Sequence, residues 1–337
     1  MLLDAMGRQV KDLRISVTDR CNFRCSYCMP QDAYRWIDRA EILSFEEINR
    51  LALLFVQLGV TKIRITGGEA LLRRHLGRLI ARIAALPDLE DLCLTTNGAL
   101  LAEQAPALAA AGLKRINVSV DSLDPATYSR MTGRDDLARV LDGLEVAARS
   151  GLTPIKINTV VVRGVNDHNL LDLVEFSRRR GYALRLIEYM DAGNANQWRS
   201  EKLVPKREIL ETIAARYPLG DAGRDPDSAP AVRYRFLDGV GEVGVIASVT
   251  EPFCASCTRA RLTADGKLVT CLFSEGGFDL KQLLRRGAPD REIVDAICSA
   301  WRVRNDRYSE ERHAMLQSEQ GYKAGNRNKI EMIRLGG

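Results

Sequence analysis

The chain has 337 residues, of which 46% are hydrophobic and 28% are charged. This composition excludes a largely disordered protein, and the length suffices for one large domain or two smaller ones. Lysines and arginines number 49 against 44 acidic residues, so the net charge of +5 favours an anionic ligand rather than a nucleic-acid partner. No apolar run is long enough to span a membrane, and residues 1–11 carry charges where a signal peptide has its apolar block. We therefore expect a soluble, cytoplasmic protein without a membrane partner.

Short β-branched runs alternate with amphipathic segments along the first two-thirds of the chain. The predicted strands are 13–18, 62–66, 92–96, 115–120, 155–162 and 184–189. The predicted helices are 45–58, 73–85, 137–150 and 170–180. This alternation favours a parallel α/β sheet, either doubly wound or curved into a partial barrel, and six units are too few for a complete eight-stranded barrel.

The pattern changes after Pro205. Segment 217–230 is rich in proline, glycine and aspartate, which predicts a loop and a domain boundary between residues 195 and 230. We divide the chain into residues 1–200 and 201–337. In the second part, 232–237 and 242–249 are predicted strands and 290–302 a predicted helix. Residues 239–244 fit G-x-G-x-x-G, but a β-prone run follows them, so we expect a hairpin rather than a dinucleotide site.

Three cysteines, Cys21, Cys25 and Cys28, directly follow the first predicted strand with the spacing C-x3-C-x2-C. A long chain without a secretion signal keeps its thiols reduced, so these cysteines are candidate metal ligands rather than disulfide partners. Structural zinc normally takes four ligands, whereas an iron-sulfur cube held by three thiolates keeps one iron open for a substrate or cofactor. The alternative to a metal site is a purely structural role, in which the three cysteines only pack within a loop.

A second triplet, Cys254, Cys257 and Cys271, has the spacing C-x2-C-x13-C. It fits either a zinc knuckle completed by a distant histidine or water, or a second cluster with an open iron. Arg259 and Arg261 lie between these cysteines, on one face of an extended segment. Two guanidinium groups beside a metal centre suit a phosphate-bearing substrate, although salt bridges are the simpler reading. The arginine-rich stretches 178–180 and 302–304 are predicted to be solvated helix faces.

The first motif, with an aromatic residue just before its last cysteine, resembles that of the radical S-adenosylmethionine superfamily. Gly67-Gly68-Glu69 follows the second predicted strand, where that superfamily has a turn that receives the methionyl ammonium group. Further markers in order resemble the GTP 3′,8-cyclase family of molybdenum cofactor biosynthesis: DRCNFRCSYCMP, KIRITGGEALLR, LTTNG, INVSVDS, IKINTVVVRGVND, RLIEYMDAGN, FCASCTRARLTADGKLVTCL and a final LGG. Ala70 departs from the family, which commonly has proline after the glutamate.

The resemblance implies a partial (β/α)6 TIM-like barrel, closed on its open side by a C-terminal α+β domain that holds the second cluster. The implied cofactors are S-adenosylmethionine and two 4Fe-4S clusters, whose ligands are the two cysteine triplets. Residues implied at the S-adenosylmethionine site are Tyr27, Gly68, Glu69, Ser119 and Met190. Residues implied at the GTP site are Arg14, Arg64, Thr95, Lys156, Arg259 and Arg261. The final Gly336-Gly337 is implied to enter the active site.

The implied activity is a radical lyase reaction. The first cluster cleaves S-adenosylmethionine reductively, the resulting deoxyadenosyl radical takes hydrogen from the ribose 3′ carbon of GTP, and that carbon attacks carbon 8 of guanine. The product is (8S)-3′,8-cyclo-7,8-dihydroguanosine 5′-triphosphate. Implied partners are a flavodoxin-like or other electron donor, a second copy of the chain in a homodimer, and the next pathway enzyme, cyclic pyranopterin monophosphate synthase.

Two other functions stay open on the sequence. One is a different radical S-adenosylmethionine enzyme with an auxiliary cluster, such as a peptide-modifying enzyme. The other is a noncatalytic zinc-binding nucleic-acid module, against which stand the dispersed basic residues and an aromatic content of only 6%.

Overall fold

A computed structural model describes residues 2–30, 34–224, 226, 228–318, 322 and 328–336. The strands in this part of the chain are β1 Asp12–Ser16, β2 Lys62–Thr66, β3 Asp91–Thr96, β4 Arg115–Ser119, β5 Ile155–Val161, β6 Ala183–Glu188, β7 Leu219–Gly223, β8 Val232–Phe236, β9 Glu242–Ile246, β10 Arg259–Leu262, β11 Lys267–Val269 and β12 Phe278–Asp279. The helices are α1 Phe45–Gln57, α2 Leu76–Ala84, α3 Leu101–Ala110, α4 Pro125–Thr132, α5 Leu137–Arg149, α6 Leu170–Arg180, α7 Lys206–Ala214, α8 Leu280–Arg285, α9 Asp290–Arg302, α10 Tyr308–Leu316 and α11 Met332–Leu335.

These strands form a single sheet in the order β12-β11-β10-β1-β2-β3-β4-β5-β6-β9-β8-β7. Strands β1 to β6 are adjacent and parallel, as the alternating pattern predicts. β10 adds in parallel to β1, and β9 adds in parallel to β6. The sheet has two free ends and is curved, because residues of β1 to β6, β9 and β10 line the same cavity. The fold is therefore a partial barrel, and C-terminal strands extend both of its edges.

The central strands have one face toward the helices and one face toward the cavity. On β1, Leu13 and Ile15 are fully buried in the main hydrophobic core, and Ile63 and Ile65 on β2 are equally buried. Arg14 lies between the two β1 residues and therefore lies on the opposite face, toward the cavity. The apolar residues hold the helices on the sheet, while the residues between them supply the site.

Strand and helix bounds agree with the sequence prediction to within three residues. Helix α6 and helix α9 begin and end where predicted, and β8 and β9 form the expected antiparallel hairpin. Helix α2 begins later than predicted, at Leu76, because His75 adopts a left-handed conformation with φ of 61°. No helix in the described ranges is both long and apolar enough to cross a membrane.

Three local predictions are wrong. Segment 217–230 is not loop throughout, since β7 pairs with β8 at its start. Arg178 is not on a solvated face: its guanidinium stacks on Tyr217 and Phe236 and pairs with Asp238. Arg304 is also buried, with a side chain 1% exposed.

Candidate active site

A cavity of about 280 Å³ opens on the inner face of the curved sheet. Its wall contains all six cysteines of the two triplets, although the triplets are more than 200 residues apart in the sequence. It also contains most of the other predicted site residues, namely Arg14, Tyr27, Arg64, Gly68, Thr95, Ser119, Met190, Arg259 and Arg261. Glu69 and Lys156 are the two predicted residues that do not line it.

The first cysteine loop follows β1 and is closed by its own backbone. The amides of Cys28 and Met29 donate to the carbonyl oxygen of Cys25, at 3.0 and 2.9 Å. Burial raises the pKa of Cys21 to about 11 and that of Cys28 to about 12, and it raises the pKa of Cys25 well above its usual value. The three cysteines line the same cavity, and Cys21 also raises the pKa of both Cys25 and Cys28. A cationic iron cluster relieves this cost, and the donor set fits one.

The second cysteine loop is held by arginines. Arg259 donates from Nη2 to Sγ of Cys257 at 3.1 Å. Burial opposes ionisation of Cys257, but Arg259 and Arg304 outweigh it and lower the pKa of this thiol to about 6. Burial raises the pKa of Cys271 to about 11. Cys257 is readily ionised, and Cys254 and Cys271 face the same cavity. This loop is therefore also suited to bind a soft metal centre.

Asp4, Arg8 and Arg304 form a buried ion-pair group, here called the Asp4 hook, that supports this loop. Arg8 donates to the carbonyl oxygen of Cys254 at 2.8 Å, and Arg304 donates to that of Cys257 at 2.9 Å. Both arginines pair with Asp4, at 2.6 and 3.0 Å, and its carboxylate is fully buried. The Asp4 hook was missed in the sequence because Arg304 is about 300 residues from Asp4 and Arg8, and the three residues belong to no motif.

A row of cations crosses the floor of the cavity. Arg261, Arg14 and Arg64 are direct partners on the adjacent strands β10, β1 and β2. All three are at least nine-tenths buried, and the Nε atom of each has no hydrogen-bond partner. Burial lowers the pKa of Arg14 well below its usual value, and the neighbouring arginines lower it further. Asp12 interacts electrostatically with all three arginines, but it is one negative charge against three positive charges, so the floor carries excess positive charge.

Lys156 lies on the same face of β5 as Asn158 and Val160, which line the cavity. Burial lowers its pKa to about 7, and Arg185, Arg115 and Lys62 add to the effect. Lys156 therefore lies on the cavity face of β5, two residues before Asn158, although its own side chain does not line the cavity. Arg185 lines the cavity itself, and the alternation along β6 was the signal that could have identified it.

The Gly67-Gly68-Glu69 turn packs directly on the first cysteine loop. A Cβ atom on Gly68 would lie 2.4 Å from the carbonyl oxygen of Arg20, so only glycine fits there. The carboxylate of Glu69 is 1% exposed and accepts hydrogen bonds from the Leu71 amide, the Thr96 hydroxyl and the Asn97 amide, at 2.9, 2.7 and 2.7 Å. Glu69 is thus an internal brace between β2 and β3, and the backbone of the turn faces the cavity.

Tyr27 and Met190 lie on the wall near the first cysteine loop. The hydroxyl of Tyr27 donates to Asp121 at 2.8 Å. Burial raises the pKa of Asp121 to about 6. The Ser248 hydroxyl lies 3.6 Å from the sulfur of Met190. Asp121 lines the cavity and was not singled out as a site residue in the sequence.

The C-terminal tail, residues 328–336, reaches the cavity from outside the sheet. Met332 and Ile333 line the cavity, and Gly336 packs against Thr66 on β2. Gly336 itself is not among the residues that line the cavity, and its entry into the active site stays a prediction. Gly337 lies outside the described residues.

Comparisons with known proteins fit this geometry. The Radical SAM superfamily model matches residues 15–177, and the Molybdenum Cofactor Synthesis C model matches residues 182–310. A GTP 3′,8-cyclase of Acidothermus cellulolyticus is 49% identical over 316 residues, covering 91% of this chain and 87% of the relative. A GTP 3′,8-cyclase of Xanthomonas axonopodis pv. citri is 49% identical over 313 residues, covering 92% and 93%. The chain belongs to the GTP 3′,8-cyclase family.

Solved structures of other proteins share the fold of this GTP 3′,8-cyclase family member. Streptococcus suis SuiB bound to S-adenosylmethionine aligns with a TM-score of 0.58 at 15% identity, over 78% of this chain and 60% of SuiB. Native anSMEcpe with bound AdoMet aligns with a TM-score of 0.58 at 14% identity, over 94% of this chain and 93% of that one. These alignments support the partial barrel.

Proposed function

We propose that the chain catalyses the S-adenosylmethionine-dependent cyclisation of GTP to (8S)-3′,8-cyclo-7,8-dihydroguanosine 5′-triphosphate, in molybdenum cofactor biosynthesis. The observation that carries the proposal is the convergence of two cysteine triplets and a row of arginines with excess positive charge on one cavity. A triphosphate brings about four negative charges, which match such a row. Three cysteines would leave one iron of a 4Fe-4S cluster open, so Cys21, Cys25 and Cys28 would allow S-adenosylmethionine to bind at one cluster, and Cys254, Cys257 and Cys271 would allow guanine to bind at the other.

The residue roles follow from position. Cys21, Cys25 and Cys28 hold the first cluster, and Cys254, Cys257 and Cys271 hold the second. Tyr27, Gly68, Ser119 and Met190 face S-adenosylmethionine, while Glu69 keeps the turn in place from behind. Arg14, Arg64, Thr95, Arg259 and Arg261 face GTP, and Lys156 lies on the same face of the sheet, where its charged form would add to the positive field.

A 4Fe-4S cluster held by Cys21, Cys25 and Cys28 would supply the electron for reductive cleavage of S-adenosylmethionine, which is the difficult chemistry of the reaction. The protein fixes the ribose and the base within reach of each other, which removes orientational freedom before reaction. The Arg261, Arg14 and Arg64 guanidinium groups orient the triphosphate. The tail covers part of the cavity beside Thr66 and helps to exclude water.

We also propose that the protein works in the cytoplasm, because that compartment keeps cluster thiols reduced. Its proposed partners are a flavodoxin-like electron donor and the next enzyme of the pathway, cyclic pyranopterin monophosphate synthase. A homodimer is the proposed assembly. The proposed division into residues 1–200 and 201–337 follows the change in pattern after β6, although strands from both parts share one sheet.

The test is anaerobic reconstitution with iron and sulfide, followed by S-adenosylmethionine, dithionite and GTP, with mass spectrometry of the products. We expect deoxyadenosine together with a cyclised isomer of GTP. Deoxyadenosine without a GTP-derived product would retain the radical chemistry and reject GTP. The absence of both products, from protein with full cluster content, would reject the proposed function.

A further inference from the structure

A buried carboxylate outside the cavity collects four donors from separate parts of the chain. Asp191 is 1% exposed and follows β6. Its carboxylate accepts hydrogen bonds from Arg312 of α10, from Lys329 of the tail, and from the hydroxyls of Tyr308 and Tyr322. The Lys329 ammonium also donates to the carbonyl oxygen of Asp191, at 2.8 Å. We call this group the Asp191 cluster.

The charges in the Asp191 cluster make it sensitive to the loss of its carboxylate. Arg312 is 1% exposed and Lys329 is 4% exposed, so two buried cations share one buried anion. The cations hold the pKa of Asp191 well below its usual range, against the effect of burial. Without the carboxylate, Arg312 and Lys329 would lose the anion that they share, which would weaken the attachment of the segment that carries Lys329.

The Asp191 cluster touches both sides of the active site. Met190, directly before Asp191, lines the cavity beside the first cysteine loop. The Lys329 ammonium lies 5.7 Å from the centre of the Phe273 ring, which lines the cavity two residues after Cys271 and stacks on Tyr308 at 4.3 Å. The cluster therefore connects the loop after β6 to the second cysteine loop.

The tail is fixed here and then enters the cavity. Asn194 donates from Nδ2 to the carbonyl oxygen of Lys329 at 2.6 Å, and the amide of Ile330 donates to Ser274 at 2.9 Å. Within four residues of Lys329, the side chain of Ile333 lines the cavity. A fixed Lys329 thus determines how far Gly336 reaches toward Thr66.

We propose that Asp191 is a positioning residue that latches the C-terminal tail, through Lys329, to the S-adenosylmethionine side and the second-cluster side of the site. The consequence for catalysis rests on the proposed function, whereas the latch itself does not. Docking of the tail then depends on the relative placement of both cysteine loops.

The latch is tested by hydrogen-deuterium exchange on Lys329→Ala, Asp191→Asn and the control Asn328→Ala, whose exposed side chain precedes Lys329. In the first two variants, amides of residues 330–336 should exchange at least about tenfold faster than in the parent protein, because the docked segment opens more often. In the control they should not change. Unaltered tail exchange in Lys329→Ala, with β1 to β6 still protected, would overturn the proposal.

A second readout separates positioning from folding. The latch variants should release more deoxyadenosine per cyclised GTP, while Lys329→Arg, which keeps the charge, should recover most of the coupling. If Asp191→Asn does not fold, tail exchange and product coupling in Lys329→Ala alone test the proposal. If the parent protein forms no cyclised GTP, the proposed function fails and the exchange result still decides the latch.

Discussion

Gly336 lies so close to Thr66 that a Cβ atom on the glycine would be 2.2 Å from the threonine Cγ2. Gly336 also has a φ of 66°, which L side chains rarely adopt. Thr66 is 2% exposed and belongs to β2, so it has no room to move away. The tip of the tail therefore docks only as glycine.

Substitution of Gly336 by alanine should keep the tail tip out of the cavity. We expect cyclised GTP to fall by about a hundredfold, the scale of a small misplacement at a reacting centre, with little change in the denaturant midpoint. Product yield by mass spectrometry checks this. Gly181→Ala is the matched control: its φ is 68° and nothing lies within 4 Å, so it should lose only about 1 kcal/mol of stability and no activity.

Each cysteine triplet should hold its own cluster. Cys28→Ala and Cys271→Ala should each halve the iron and inorganic sulfide bound after reconstitution, because each removes one of three ligands from one site. Cys298→Ala should bind the parent amount, since Cys298 packs against the main core on α9. Iron and sulfide assays check this. Zinc in place of iron at the second triplet would support the zinc-knuckle alternative instead.

Arg261 should contribute to GTP affinity without holding a cysteine. Arg261→Ala removes one charged donor from the row with Arg14 and Arg64, so we expect affinity for GTP to fall about tenfold to a hundredfold. Anaerobic titration calorimetry measures this, and iron content should stay at the parent value. Arg302→Ala, an exposed arginine on α9, is the control. Equal GTP affinity in Arg261→Ala and the parent protein would reject this assignment.

Arg259→Ala should have an additional effect. Arg259 donates to Sγ of Cys257 and lowers its pKa, so its loss should weaken binding of GTP and also reduce occupancy of the second cluster. Arg259 and Arg261 lie on one face of β10, but only Arg259 contacts a cysteine. Iron content should therefore be lower in Arg259→Ala than in Arg261→Ala.

The Asp4 hook should stabilise the fold and the second cluster together. Asp4→Asn removes the carboxylate that Arg8 and Arg304 share and leaves Arg304 with Asp306, at 3.4 Å, as its other acidic partner. Loss of one partner from a buried ion pair costs about 3 to 5 kcal/mol. Urea unfolding measures the loss, and reconstitution should show less iron. Asp290→Asn breaks the exposed pair with Arg50 and should cost less than about 1 kcal/mol. Equal costs for the two variants would contradict a buried hook.

Local patterns were sufficient to predict the strands and helices of a parallel α/β sheet, whereas the choice of a partial barrel over a doubly wound sheet came from the family resemblance. The period of two along β1 to β6 and the period near 3.6 along α1, α5 and α6 identified these elements, because each buries one face against the other layer. The cysteine spacings identified both candidate cluster sites, since ligands of one cluster must be near one another in the sequence or in space.

Contacts distant in the sequence were not predictable in this way. β9 and β10 have ordinary strand patterns, and nothing local indicates that they pair with β6 and β1. Arg304 was predicted to be solvated because it belongs to a short basic stretch with Arg302, and its partner Asp4 is 300 residues away. Glu69 was expected in the site, but three donors from β3 and its own turn retain its carboxylate inside the fold.

Lys156 provides a pH-dependent test of the cation field. Its pKa is lowered to about 7 by burial and by neighbouring cations, so between pH 7 and about 10 it is neutral in the folded protein and charged in the unfolded one. The unfolded state then binds more protons, and stability rises with pH across this window. Lys156→Met should remove that rise. Urea midpoints of both proteins from pH 7 to 10, without GTP, measure it.

The same shift predicts how GTP binding responds to pH. A triphosphate in the cavity favours the charged ammonium, so binding should take up a proton and GTP affinity should fall as the pH rises through 7. The phosphate groups of GTP also titrate near this pH. Because Lys156→Met lacks the ammonium, the pH profile of its GTP affinity measures the contribution of those phosphate groups. Subtracting its pH profile from that of the parent protein should leave a residual dependence centred near 7. Superimposable profiles would show that the charge on Lys156 does not respond to the bound nucleotide.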